Sequence, residues 1–138
     1  MDLKTHCLCA LVRKASRSLT SLYDQALAPS GLRVTQYSLL ANINRQGRTT
    51  ASKLSKLLLM DKTTLTRNLN LLEKRGLIET KPGRDGRVKE IFLSEKGEAA
   101  FTEARPLWKN VQVHLGEKFG ESKAAELMQS LDDLLQEL

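Results

Sequence analysis

Asp61-Lys62-Thr63-Thr64-Leu65-Thr66-Arg67-Asn68-Leu69-Asn70-Leu71-Leu72-Glu73-Lys74-Arg75-Gly76 reads as one helix with two unlike faces. Asp61 suits the N-cap, because its carboxylate accepts the free N–H groups of a first turn. Gly76 stands where a left-handed residue ends a helix. Leu65, Leu69 and Leu72 repeat at helical spacing and form an apolar stripe. Thr63, Arg67, Asn70 and Lys74 lie about half a turn away, and their side chains are donors and acceptors suited to base edges and phosphates. A merely solvated helix face is the alternative reading of the same residues.

The charge distribution favours the first reading. The chain has 138 residues and a net charge of +6. Residues 48–90 hold eleven Lys/Arg and five Asp/Glu, whereas the rest of the chain holds eleven of each. Residues 94–138 are net acidic, with five basic and nine acidic side chains. The whole positive excess therefore surrounds the quoted helix, which is the footprint of a polyanionic partner. A membrane surface would instead call for a basic helix with bulky exposed apolar residues, which this segment lacks. No apolar run is long enough to span a bilayer, and the N-terminus lacks the pattern of a signal peptide, so a cytoplasmic protein is expected. The length predicts one domain, and few aromatics with abundant leucine and alanine predict helices packed on helices.

Ahead of the central helix, Leu8, Leu11, Val12, Ala15, Leu19, Leu22, Tyr23 and Ala26 predict an amphipathic helix over about 5–28, ended by Pro29-Ser30-Gly31. A second helix is predicted over about 35–46, with Thr35 as N-cap and Tyr37, Leu39, Leu40 and Ile43 as apolar residues. Thr50 caps a third, 51–58, with Leu54, Leu57 and Leu58 facing inward. Two short helices so close together make a helix-turn-helix, whose second helix enters the major groove.

Beyond Gly76 the period changes. Residues 77–81 and 88–93 read as strands, joined by the turn Pro82-Gly83-Arg84-Asp85-Gly86-Arg87. A hairpin in this place is a wing, and arginine at its tip can reach the electronegative minor groove. Ordinary loop charge is the alternative for Arg84 and Arg87. A long helix then starts with Ser94 as N-cap, is interrupted by Pro106, and continues towards Gly116. A last helix, about 121–137, carries Ala124, Leu127, Met128, Leu131, Leu134, Leu135 and Leu138. The terminal helices offer more apolar surface than a small winged lobe covers, so they are expected to pack on each other and on a second copy. A dimer would place two reading helices about one DNA turn apart, on a pseudo-palindrome.

This order resembles the MarR-type transcriptional regulators, the multiple-antibiotic-resistance family, over almost the whole chain. The resemblance rests on Ala28-Pro29-Ser30-Gly31-Leu32 with Thr35-Gln36-Tyr37, on Met60 to Arg67, on Leu72-Glu73-Lys74-Arg75-Gly76-Leu77-Ile78, on Asp85-Gly86-Arg87 and on Leu93-Ser94-Glu95-Lys96-Gly97. It implies a mainly α winged helix-turn-helix over 1–138, with a DNA-binding lobe at about 34–93 and dimerisation helices at about 1–30 and 94–138. It implies an obligate homodimer that binds operator DNA, usually as a repressor. Thr63, Thr64, Thr66, Arg67 and Asn70 would face the major groove, Arg87 would enter the minor groove, and Asp85 would hold the wing by an ion pair. Thr50, Lys62, Lys74 and Arg84 complete the candidate DNA-binding set. Family members often respond to phenolic or other small aromatic ligands in a crevice between the dimer helices and the DNA-binding lobe. The chain departs from the family pattern at Ser55, usually alanine, and at Leu59, usually glycine. A left-handed Leu59 would cost on the order of 1 kcal/mol.

Cys7 and Cys9 would point about 200° apart on a helix and so would not bridge readily. One reading is two small, partly buried residues in a reducing cytosol. The other comes from the resemblance: one branch of the family senses organic hydroperoxides through a cysteine in this helix, activated by tyrosines of both subunits. Alignment on residues 17–23 puts Cys9 at that cysteine and Tyr23 at one tyrosine, while the other two tyrosine positions are Arg13 and Val34 here. Arg13, one turn from Cys9, and the helix N-terminus would both favour a thiolate. No His/Cys cluster has zinc spacing, and no metal or cofactor is called for. Without a Gly-rich phosphate loop or a nucleophile–base pair, an enzyme is not expected. The sequence thus predicts a sequence-specific double-stranded DNA-binding regulator, released by a small aromatic ligand or by thiol oxidation. The rival from another class is a winged-helix module that docks an acidic protein partner.

Overall fold

The computed structural model describes residues 1–138 and has the element order α1 (Leu8–Leu27), α2 (Val34–Gln46), α3 (Ala51–Leu58), α4 (Lys62–Lys74), β1 (Ile78–Pro82), β2 (Lys89–Leu93), α5 (Glu95–Phe119) and α6 (Glu121–Glu137). A single 3-10 turn, Ala28–Ser30, joins α1 to α2. The fold is mainly α with a hairpin wing, as the sequence predicts.

The core gathers around α4. Leu65 and Leu72 are fully buried, and Leu69 nearly so, against Leu40 and Ile43 of α2 and Leu54 of α3. Tyr37 stacks on Phe101 with ring centroids 5.3 Å apart, and on Trp108 at 5.9 Å, which locks α2 onto α5. In the hairpin, Ile78 pairs with Leu93 and Thr80 with Ile91 on the inner face. Glu79–Phe92 and Lys81–Glu90 pair on the outer one. Thr49 adds an isolated β-bridge to β2 that the sequence did not announce. Its N–H donates to Ile91 O at 3.0 Å, and Ile91 N–H returns a bond at 2.7 Å.

Several local expectations need correction. Arg33, not Thr35, is the N-cap of α2; the Gln36 side chain accepts the Arg33 N–H at 3.0 Å and so closes the start of the helix. Cys7 is not inside α1 but caps it, with Sγ accepting Ala10 N–H at 3.4 Å. Leu57 faces solvent at 53 % exposure, while Leu54 alone of the α3 leucines is fully buried. The helix holding Pro106 is one element from Glu95 to Phe119, so the proline does not end it.

The turn from α3 to α4 tolerates its leucine. Leu59 is left-handed (φ 51°, ψ 40°) and 69 % exposed. Its N–H and that of Met60 both reach Ser55 O, and the Ser55 hydroxyl donates to Met60 O at 2.7 Å. The two departures from the family pattern therefore meet: the serine hydroxyl holds the turn that the leucine strains.

The terminal helices behave differently from the rest. Only Leu27 of α1, and no residue of α6, joins the core. Leu8, Leu11, Leu19, Leu127 and Leu135 are all exposed, and Met128 is 67 % exposed. Between α1 and α6 lies an apolar crevice of about 790 Å³, lined also by Tyr23 and by Val34 of α2.

Two stability outcomes follow. Leu59→Gly raises stability by about 0.5–1 kcal/mol by relieving the left-handed strain, and Ser55→Ala lowers it by about 1 kcal/mol. Reversible urea unfolding of both variants measures the pair; a loss of stability in Leu59→Gly contradicts the strain.

Candidate nucleic-acid interface

The interface is built on the N-terminal end of α4. Asp61 caps that end: its Oδ2 accepts Thr64 N–H at 2.9 Å and its Oδ1 accepts the Thr64 hydroxyl at 2.7 Å. Both bonds hold the Asp61 carboxyl below the usual carboxylate range. The Thr64 hydroxyl proton is thereby committed to the cap and is not free to read a base. Thr63, Thr66, Arg67, Asn70 and Lys74 share about 100° of arc, and all are exposed, as is Lys62 in the first turn.

α3 and the wing meet this face. Thr50 caps α3 through its hydroxyl, which accepts Lys53 N–H at 3.2 Å. Thr50, Thr66, Asn70 and Arg87 line one concavity of about 360 Å³ between α3, α4 and the hairpin. Ser52, Thr80 and Lys89 line it too. The sequence reading passed over these three; the basic excess covers Lys89, but neither serine nor threonine carries a signal until the hairpin folds back. Arg84 and Arg87 are exposed on the wing tip. Asp85 does not form an ion pair. Its Oδ1 accepts the N–H groups of Arg87 at 3.0 Å and Val88 at 3.4 Å, so it shapes the tip as a turn acceptor instead.

Not every cation of the segment belongs to this face. Arg48 pairs with Glu90 at 3.3 Å and lies over the Phe92 ring, where Lys81 joins it. These two cations rigidify the hairpin's outer face.

The candidate redox residues are scattered along α1. Cys7 and Cys9 are free and exposed, not partly buried. Because Cys7 is extended rather than helical, the helical separation of the two thiols does not apply. Arg13 is one turn from Cys9, but Tyr23 is fourteen residues on, about 21 Å along the axis. The Tyr23 hydroxyl instead donates to Gln112 on α5, and burial pushes its ionisation upward. Within one chain, then, Cys9 and Tyr23 do not meet. No group of three or more His, Cys, Asp or Glu side chains is placed to hold a metal ion.

Comparison with known proteins places the chain. Residues 30–88 match the MarR family. The chain is 39% identical to the Mycobacterium tuberculosis transcriptional regulator MosR, solved in complex with DNA. That match covers 94% of this chain and 98% of the other, with a TM-score of 0.79. The regulator SarZ of Staphylococcus epidermidis is 33% identical over 91 residues, 65% of this chain and 62% of SarZ. A MarR mutant from E. coli, solved with operator DNA, shares the fold at a TM-score of 0.86 and 24% identity, over 98% of this chain and 99% of that one. The chain belongs to the MarR family of transcriptional regulators. It is a DNA-binding winged helix-turn-helix regulator, in a family of regulators rather than enzymes.

Asp61 supplies a pH test. A carboxyl depressed on folding stabilises the native state above its unfolded value, and the gain disappears as pH falls through the folded value. Asp61→Ala lowers the Tm at pH 7, and the gap to the parent protein closes as pH falls below the usual carboxylate range. Thermal denaturation across pH 2–7 checks this; a gap constant with pH would remove the charged cap from the account.

Proposed function

We propose that the protein is a cytoplasmic homodimer that binds a pseudo-palindromic operator and represses transcription, and that it is released by a small aromatic ligand or by thiol oxidation. The observation that carries the DNA reading is the concavity in which Thr50, Thr66, Asn70 and Arg87 converge, within the segment 48–90, whose eleven basic and five acidic residues make it strongly positive. Arg67 and Asn70 are the base readers, since guanidinium suits guanine and carboxamide suits adenine. Thr63 and Thr66 flank them, and Lys62, Lys74 and Thr50 hold phosphates. Arg84 and Arg87 enter the minor groove, with Asp85 shaping the tip. The DNA complex of MosR supports this orientation by analogy.

The uncovered apolar faces of α1 and α6 support the dimer, because monomers rarely leave so continuous an apolar surface in water. Residues 1–30 and 94–138 form its dimerisation arms, and residues 34–93 its DNA-binding lobe. No helix is long and apolar enough to cross a membrane.

Release works through the spacing of the two α4 helices. An aromatic ligand in the α1–α6 crevice would alter that spacing directly. A hydroperoxide would instead give one oxygen to the Cys9 thiolate, leaving a sulfenate and an alcohol. Arg13 of the same chain lies one turn from Cys9, and Tyr23 would have to come from a second subunit to reach it.

Selection of random duplex DNA by the purified protein, with and without hydroperoxide, tests the reading. An enriched palindrome with half-sites about one turn apart is the expected result. Loss of enrichment under peroxide, prevented by Cys9→Ser, assigns release to the thiol; loss only with phenolic ligands assigns it to the crevice. No enriched sequence overturns the operator reading and favours a protein-docking module. Arg67→Ala is expected to cost about 1–3 kcal/mol on the selected palindrome and far less on random DNA. Equal losses on both would reduce Arg67 to a phosphate contact.

A further inference from the structure

Arg75 stands apart from the other cations of the basic segment. It is one residue past Lys74, so it points about 100° away from the face that meets DNA. Its guanidinium is occupied on two sides: Nη1 donates to Gln36 Oε1 at 3.2 Å and Nη2 to Gly31 O at 3.1 Å. No side chain within α4 itself forms a hydrogen bond to the corner between α1 and α2. That corner is itself tied to the arm, since Asp24 on α1 accepts Val34 N–H at 2.8 Å. Gln36 is held in turn by the Arg33 N–H. The backbone of Arg75 is fixed as well, because Lys96 Nζ on α5 donates to Arg75 O at 2.8 Å. The end of α4 is thus clamped from one side by the α1–α2 corner and from the other by the start of α5.

We propose that Arg75 is a positioning residue, a two-pronged latch that fixes the angle of the recognition helix to the dimerisation arms and so sets the distance between the two half-sites. A planar guanidinium holding two acceptors fixes direction as well as distance, which a lysine ammonium does not. Simultaneous engagement of two half-sites depends on that geometry, whereas engagement of one half-site does not. The latch therefore contributes to two-site binding while touching no DNA.

The proposal rests on the dimeric operator reading above. Its test uses the full-length protein and three duplexes: the palindrome obtained by selection, the same duplex with one half-site scrambled, and a random sequence. Arg75→Ala is expected to lower the preference for the full palindrome over the single half-site by about tenfold or more. The slope of log affinity against log salt on the single half-site stays unchanged, because no phosphate contact is lost. Gln36→Ala, which leaves the charge in place, moves the preference in the same direction by a smaller factor, and Arg75→Lys does not restore it. Gln36→Ala decides the matter if Arg75→Ala fails to fold. Equal losses on all three duplexes, with the salt slope reduced by about one, would make Arg75 a phosphate contact and overturn the latch. An unchanged preference in a folded Arg75→Ala also overturns it. A parent protein without any preference for two half-sites overturns the dimeric reading, and the latch with it.

Discussion

The carbonyl of Leu77 accepts the Ser94 N–H at 3.1 Å, and α5 begins so close behind it that only glycine fits at position 97. A Cβ there would lie 1.9 Å from that oxygen. Around this contact the Ser94 hydroxyl donates to Gly76 O, and Lys96 donates to Arg75 O. The carbonyls left open at the end of the recognition helix are thus closed by the first turn of the helix that leads into the dimerisation arm. Reading head and arm meet backbone to backbone, with little side-chain padding between them, so a displacement of one is passed to the other.

That geometry gives the electrostatics its purpose. Charge alone would bring any polyanion to the segment 48–90, because long-range attraction carries no sequence information. The structure sorts the cations into different duties. Arg67, Arg87 and Lys74 face outward, Arg48 and Lys81 are held on Phe92, and Arg75 and Lys96, though exposed, are bonded to backbone carbonyls of the chain. A basic count overstates the number of donors open to a partner, since a cation whose N–H groups are held by the protein's own carbonyls keeps its charge but is not free to turn to another acceptor.

The arms are where a single chain leaves apolar surface uncovered. The core closes over α2 to α5 and stops, which leaves α1 and α6 with apolar faces in water and a crevice of about 790 Å³ between them. Hydrophobic burial is the dominant favourable term in folding and association, so such faces favour a second copy. The same crevice, the Tyr23–Gln112 bond and the two exposed thiols lie along one arm.

The sequence by itself determined the elements whose causes are local. The α4 cap at Asp61, its leucine stripe and the α5 cap at Ser94 all depend on side chains within one or two turns, and they fall where spacing put them. The left-handed Leu59 was legible only through the family resemblance, whose usual glycine marks the position, because a leucine carries no local signal for that backbone. Tertiary structure decided what depends on partners distant in the chain. Thr49 bridges to β2 only because Ile91 is brought beside it, and Ser52 and Lys89 joined the concavity only when the hairpin folded back. Asp85 turned to neighbouring N–H groups rather than to an arginine, because the tight turn brings those donors within reach before any cation. Arg75 reads as one more basic residue in the sequence, and its two acceptors lie 39 and 44 positions away. Helical periodicity records which face of a segment is buried; it does not record which distant carbonyl a charged side chain finds.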